Sequence, residues 1–256
     1  MRAATSLLAA FGAALLSGPG CSAPEAPTET VGYRDGAQGG PTSGERGTVQ
    51  IYEILWSGSV KGDTWDPKDV FVELRNVGSR PVNLSRWRLR LSGTFSRNFV
   101  LPDFDKPLEV GDQLVIAAKS DGCFPDPDVL LPDLVFPLDD AFELGLVDAD
   151  ERLMESAGDR NFVPFAGGYD LTTSRSMERI PLMFGADSNR SQAWKYYQAV
   201  KCPGDTEGLN CFIDSAGKAS PNNDRVLPEC RRHTHASPGQ ANSPDYSGSF
   251  ANGSFE

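Results

Sequence analysis

Histidine is nearly absent from this chain: His233 and His235 are its whole supply in 256 residues. Nucleophilic catalysis by serine or cysteine needs a base held against the nucleophile, most often an imidazole. Both histidines fall in one polar segment and no Gly-x-Ser-x-Gly elbow occurs, so no catalytic residues are assigned. Positive charge is also short, with 24 Lys and Arg against 35 Asp and Glu for a net charge of −11. Phosphate backbones are held by clustered cations, so nucleic acid is not an expected partner. Apolar runs are short too, none reaching the roughly 20 residues that a membrane-spanning helix needs. Between residues 49 and 180 apolar positions do not recur at the three- and four-residue spacing of an amphipathic helix. No repeat of fixed period is visible.

What is present begins with an export signal. Residues 1–20 carry Arg2 and then an apolar run over residues 7–16, the layout of a signal peptide. Small residues lead to Cys21, an arrangement similar to a bacterial lipoprotein signal in which the cysteine is lipidated. Residues 21–47 are rich in Pro, Gly, Thr and Glu and cannot bury enough surface to offset their ordering entropy, so they read as a flexible tether. Residues 243–256 read as a disordered tail. The folded domain is expected over residues 48–242, in a chain exported to the bacterial envelope and held there by lipid, or else secreted.

Setting Cys21 aside leaves Cys123, Cys202, Cys211 and Cys230, an even number in an exported context. That reads as two disulfides. Three pairings are open. Pro203, Gly204 and Gly208 let the chain turn back between Cys202 and Cys211, which favours that pair and leaves Cys123 for Cys230.

Hydrophobicity in the middle of the chain has a period of two. Trp87, Leu89 and Leu91 alternate with Arg86, Arg88 and Arg90, as a strand with one buried and one wet face requires. Val70, Val72 and Leu74 alternate with Phe71, Glu73 and Arg75, while residues 49–56, 114–118 and 142–148 form further β-rich runs. Turn-forming residues separate these runs, and residues 192–199 fit no period clearly. Short strands between turns predict an all-β, antiparallel sandwich rather than an α/β fold.

The order of segments resembles the lamin-tail domain family, an immunoglobulin-like β-sandwich. Ile51-Tyr52-Glu53-Ile54 is similar to its first strand, Val72-Glu73-Leu74-Arg75-Asn76 to its second, and Val82-Asn83-Leu84-Ser85-Arg86-Trp87-Arg88-Leu89 to its most recognisable segment. Gly111 before an apolar strand, Leu146-Val147-Asp148-Ala149-Asp150, Ser176-Met177-Glu178-Arg179 and Ser237-Pro238-Gly239-Gln240-Ala241-Asn242 follow in the family's order. Tyr52 stands where bacterial members usually carry Asn, and Arg75 where an aromatic is common. Residues 201–233, with three of the cysteines, look like an insertion. The resemblance implies a non-enzymatic module for binding or attachment, with Glu53, Glu73, Asn76, Leu84, Trp87, Gly111, Asp148, Pro238 and Asn242 as structural motif positions. Its partner would be a protein or a surface polymer, with the membrane reached through the lipid.

Other chemistries compete with this one. Zinc would accept the clustered Cys and His, but the spacing fits no finger and exported thiols oxidise. Calcium would take carboxylates from acid-rich loops at Asp63, Asp66 and Asp69, or at Asp139 and Asp140. Asp148 and Asp150 suggest a calcium loop until Arg152 and Leu153 interrupt it. No metal or cofactor is therefore assigned. Glu53 and Glu73 sit among apolar neighbours, where a charge needs a partner, and are expected to meet Arg75, Arg88, Arg179 or backbone N–H groups. A carbohydrate platform would draw on Trp56, Trp65, Trp194, Tyr196 and Tyr197. Trp65 in an exposed loop is its best candidate, Trp56 and Trp194 being expected in the core. A calcium- or carbohydrate-dependent adhesion domain is the alternative reading.

Overall fold

The computed structural model describes residues 46–138, 140–180, 190–214 and 216–244. The expected signal peptide, Cys21, Asp139, nearly all of the tether and most of the tail lie outside these residues.

The chain first forms β1 (Val49–Leu55), β2 (Ser59–Lys61), β3 (Thr64–Asp66), β4 (Phe71–Asn76), β5 (Arg88–Gly93) and β6 (Arg97–Val100). It continues through β7 (Gln113–Ala117), β8 (Val129–Leu130), β9 (Phe142–Val147), β10 (Leu153–Asp159), β11 (Gly168–Tyr169) and β12 (Ser174–Arg175). β13 (Met177–Arg179), a 3₁₀ turn at Ser191–Ala193, β14 (Trp194–Tyr196), β15 (Cys211–Ile213), β16 (Ala219–Pro221) and β17 (Thr234–His235) complete it. The ambiguous residues 192–199 thus split into a turn and a strand.

Two sheets stack as a sandwich. One has six strands in the order β14-β13-β1-β4-β7-β8, the other four in the order β10-β9-β5-β6. Side chains of both enter one core, among them Ile51, Val72, Leu74 and Ile116 from the first sheet and Leu89, Leu91, Leu144 and Leu146 from the second. The all-β expectation holds, with two short exceptions to antiparallel pairing: β7 with β8, and β12 with β17.

The alternation read in the sequence has its physical outcome in β5. Trp87, Leu89 and Leu91 are 1%, 0% and 0% exposed, while Arg90 faces solvent. Each such burial is worth roughly 1.5–3 kcal/mol. In β1 the alternation breaks, because Ile51 and Ile54 both point into the core at an odd spacing. A bulge between Ile51 and Glu53 adds the residue that resets the parity and turns Glu53 and Leu55 to the opposite face.

That opposite face of the six-stranded sheet is not wet. Leu55, Phe71, Val115 and Ala117 pack against Cys123, Phe124, Val226, Cys230 and Ala236, so the C-terminal segment lies over the sheet as a third layer. Residues 201–233, read from sequence as an insertion, supply much of this cover. Disulfides join Cys123 to Cys230 and Cys202 to Cys211, the pairing that loop length favoured. Two disulfides suit an oxidising compartment. Among the described residues no helix is long and apolar enough to cross a membrane.

Two boundaries need correction. Ser243, assigned to the tail, is 3% exposed and hydrogen-bonded to Glu178, because its hydroxyl and N–H are needed inside the cover. Gly47, assigned to the tether, already donates its N–H to Met154 O at 3.0 Å.

Candidate functional site

Two places concentrate side-chain chemistry: one end of the sandwich, where two hairpins meet, and the interior beneath the C-terminal cover.

Trp65 is not in a loop, as expected, but in β3, paired with Val60 of β2 across a tight hairpin. Its indole N–H donates to Ser57 O at 2.9 Å, and its ring stacks on Tyr169 of β11 with centroids 4.6 Å apart and planes 6° from parallel. Both residues are half-buried. Tyr169 Oη donates to Leu171 O at 2.7 Å, and Asp170 accepts the N–H of Thr173 at 2.9 Å, closing the turn between β11 and β12. At its tip Leu171 has φ +76° and is 85% exposed. A β-carbon is crowded in that left-handed conformation, so the turn's own hydrogen bonds must hold the residue there. The end is anchored from below: β17 pairs with β12, and Thr234 Oγ1 accepts from Val60 N at 2.7 Å and donates to Val60 O at 2.9 Å. Tyr169 and Leu171 were not picked out in the sequence, since a lone Tyr and a turn Leu carry no pattern.

The other aromatic candidates are spent elsewhere. Trp56, Trp194 and Tyr197 are buried at 4%, 4% and 1% exposure, and Tyr196 is exposed on β14 without an aromatic neighbour among the described ring pairs. A shallow groove of about 660 Å³ runs beside β6, lined by Phe95, Arg97, Phe99, Asp133 and Val135.

The acids proposed for calcium do not converge. Asp66 accepts from Lys119 Nζ at 2.5 Å, and Asp69 is buried, accepting Cys123 N–H at 2.7 Å together with the Ser59 hydroxyl. Burial raises the Asp69 carboxyl above its ordinary range. Asp63 is exposed, and Asp148 closes the turn between β9 and β10 by accepting from Asp150 N, Arg152 N and the Arg152 guanidinium. Among the described residues no group of three Asp, Glu, His or Cys side chains is arranged to hold a metal ion. The three cysteines of the zinc candidate region, Cys202, Cys211 and Cys230, are all in disulfides.

The interior site was only half foreseen. Cross-strand register places Lys195 of β14 beside Glu178 of β13, Glu178 beside Glu53 of β1, and Glu53 beside Glu73 of β4. This charged row lies under the cover, with each of the three glutamates 0% exposed and Lys195 6%. The expected arginines are not what answers Glu53 and Glu73. Arg75 donates to Tyr52 Oη at 2.8 Å, Arg88 to Glu151, and Arg179 to Glu155 at 3.0 Å. The donors come instead from the closing segment, residues 237–243. Ser237 N donates to Glu53 Oε1 at 2.9 Å, Gly239 N to Glu73 Oε2 at 2.5 Å and Ser243 N to Glu178 Oε1 at 2.9 Å. Gln113 Nε2 adds 2.7 Å to Glu73 Oε1, and Lys195 Nζ binds Glu178 Oε2 and, at 2.7 Å, Ser243 Oγ.

Burial, and then the neighbouring charge of Glu178, pushes the Glu53 carboxyl up to about 8. Burial and Glu53 likewise raise Glu73 well above the ordinary carboxylate range. His235, half-buried near the ring of Tyr197, is pushed down to about 4 by burial and then by Arg175. Tyr197 is raised by burial and by Glu178. Lys195 was missed because one Lys beside Trp194 looks like a surface residue. Glu178 was seen only as part of a motif string.

The remaining motif positions are structural. Asn76 donates to Arg80 O at 2.8 Å and Leu108 O at 2.9 Å and accepts Gly78 N at 3.0 Å, tying two loops to the end of β4. Gly111, at φ +87°, donates its N–H to Asn76 O at 2.8 Å. Leu84 and Trp87 are in the core, and Pro238 is buried in the closing segment. Asn242 bridges Tyr52 O at 3.2 Å and Arg179 O at 3.0 Å. Tyr52 and Arg75 are each other's partners, with the guanidinium 4.9 Å from the ring centre.

Compared with known protein families and with curated proteins, the chain matches no family model and no curated protein.

Proposed function

We propose that the protein is a non-catalytic binding or attachment module, built like an immunoglobulin-type lamin-tail domain, exported and tethered to the bacterial envelope through lipid on Cys21. The observation that carries this reading is the ordered hairpin end. Exposed apolar side chains on mobile loops are unremarkable, but Leu171 is presented on a turn fixed by Tyr169 and Asp170 and backed by the Trp65 stack. Rigid aromatic support and a projecting aliphatic side chain lower the ordering cost of recognition. The most perturbed acids, by contrast, are sealed under the cover, where no substrate reaches them. The motif residues in family order support the lamin-tail reading.

A protein partner suits this end better than a sugar. Trp65 gives one ring face to Tyr169 and is half-buried, so less of an open aromatic plane is left for a pyranose. Calcium-dependent adhesion has less support, since Asp66 and Asp69 are committed to internal partners.

The test is binding of the purified protein to isolated envelope, with protein-depleted envelope polysaccharide as the second probe. Leu171→Ser and Tyr169→Ala should each weaken retention on intact envelope by about tenfold or more, as at a hot spot, while leaving the melting temperature of Leu171→Ser unchanged. Retention equal to wild type in both variants would remove the hairpin end from the function, and retention by the polysaccharide alone would favour the carbohydrate alternative.

A further inference from the structure

The charged row beneath the cover does not balance. Lys195 offsets Glu178, yet Glu53 and Glu73 follow on the next two strands with no cation among the described residues in hydrogen-bond contact. Around Glu53, β13 contributes Glu178, the residue just before that strand contributes the Ser176 hydroxyl, β4 contributes Glu73, and the closing segment contributes Ser237, with Tyr197, just after β14, further off. Arg225 of the cover acts on Glu73 by charge alone. Two carboxylates ionised side by side at zero exposure are strongly disfavoured.

Hydrogen counting points the same way. Ser237 Oγ lies 3.1 Å from Glu53 Oε2 and 2.8 Å from Glu178 Oε1. A hydroxyl has one hydrogen to give. Were both carboxylates ionised, one of these contacts would set a lone pair against a negative oxygen. A proton on Glu53 removes the conflict, because Glu53 then donates to Ser237 Oγ and Ser237 donates to Glu178. Lys195 and Ser243 remain to satisfy the other Glu178 oxygen.

We propose that Glu53, Ser237 and Glu178 form a buried proton-binding site, and that the bound proton latches the closing segment, residues 237–243, onto the six-stranded sheet. Each of the three glutamates holds a backbone N–H of that segment, so it docks on the whole row. Losing the proton places a second uncompensated charge inside the row and sets the Ser237 hydroxyl against it, and the segment loosens from its Ser237 end. The raised acidity constant of Glu53 is consistent with a proton retained through neutral pH.

Amide hydrogen exchange over residues 236–243, corrected for the intrinsic pH dependence, tests this directly. In the wild type, protection should fall by up to about tenfold per pH unit between about pH 5 and 8 and level off above that, as coupling to one proton dictates. Glu53→Gln, whose amide donates to Ser237 Oγ without titrating, should keep its protection across that range. Flat protection in the wild type, or the same fall in Glu53→Gln, overturns the latch. Should Glu53→Gln not fold, infrared spectroscopy of the wild type decides. The carbonyl stretch of a protonated carboxyl must be present near neutral pH and vanish as the segment loosens, and its absence near neutrality rejects the proposal.

Discussion

The two sheets of this sandwich share one core but have opposite outer faces. On the four-stranded sheet the outward residues of β5 are Arg88 and Arg90, half-buried and exposed, and Arg88 reaches a Glu151 whose side chain is 68% exposed. On the six-stranded sheet the outward residues of β4 and β1 include Phe71, Glu73, Glu53 and Leu55, all 0% exposed under the C-terminal cover. Charge on the first face keeps its hydration and contributes little to folding. Charge on the second has lost its water and must find every hydrogen bond inside the protein. Backbone N–H groups of residues 237–243 supply much of that replacement, which explains why so short a segment is held so firmly.

The largest way to break the contrast is to unpin the cover. The disulfide between Cys123 and Cys230 closes 107 residues, and a cross-link of that span stabilises by up to about 4.7 kcal/mol through the unfolded chain. Replacing both cysteines by alanine should lower stability by about 4 kcal/mol in chemical denaturation. The disulfide between Cys202 and Cys211, with a separation of 9, should contribute less, about 2–3 kcal/mol. Equal losses for the two would mean that neither acts by pinning the third layer.

Next in size is Glu178→Ala, which strands the Lys195 ammonium in the interior. Removing one member of a buried pair costs about 3–5 kcal/mol, because the partner's charge is left without a counterpart. Replacing Lys195 by Met in the same protein should recover part of the loss, measured as a double-mutant cycle. A cost under about 1 kcal/mol for Glu178→Ala would show that the row is hydrated and that the two outer faces do not differ.

This contrast was partly legible in the sequence. Trp87, Leu89 and Leu91 against Arg86, Arg88 and Arg90 announce one buried and one open face, because charge every second residue is compatible with no other strand environment. Val70, Val72 and Leu74 against Phe71, Glu73 and Arg75 announce two faces as well, but periodicity reports direction and not what lies above. Whether Glu73 meets water or a third layer depends on residues more than 160 positions later, at Gly239. The same distance hid the roles of Ser237, legible only as part of a motif string, and of Ser243, a small polar residue that looks disordered until Glu178 needs its donors. The bulge at Tyr52 left a parity break in Ile51 and Ile54 that resembles an ordinary continuous β-rich run. The segment around Trp65 reads as a loop in the sequence because Gly62 and Pro67 bracket only three residues of strand. The disulfides were readable because chain length alone favours closing the shorter loop.

A smaller effect should separate the faces by pH. Glu53 is raised to about 8 from an ordinary value of 4.5, so between these limits the folded protein holds a proton that the unfolded chain has released. Its contribution to stability is therefore full below 4.5 and lost as pH rises through 8. His235 is lowered to about 4 from 6.5, so the unfolded chain takes up a proton that the fold does not, and stability is lost as pH falls from 6.5 through 4. Both groups belong to the covered side. Together they place the highest melting temperature between about pH 4.5 and 6.5, on the acid side of neutrality. Thermal scans that peak above about pH 8 would contradict the assignment of protons.

The smallest expected change is on the open face. Arg88→Ala removes the ion pair to Glu151, and an exposed pair of this kind is worth less than about 1 kcal/mol. Its effect should shrink further as salt is added, since the pair is screened by solvent ions. The Glu178→Ala loss should be nearly independent of salt, because mobile ions do not enter the row under the cover. Measuring both variants in low and high salt compares the faces by a property that does not depend on how large either effect is. If the two variants respond to salt alike, burial by the C-terminal segment is not what distinguishes the sheets.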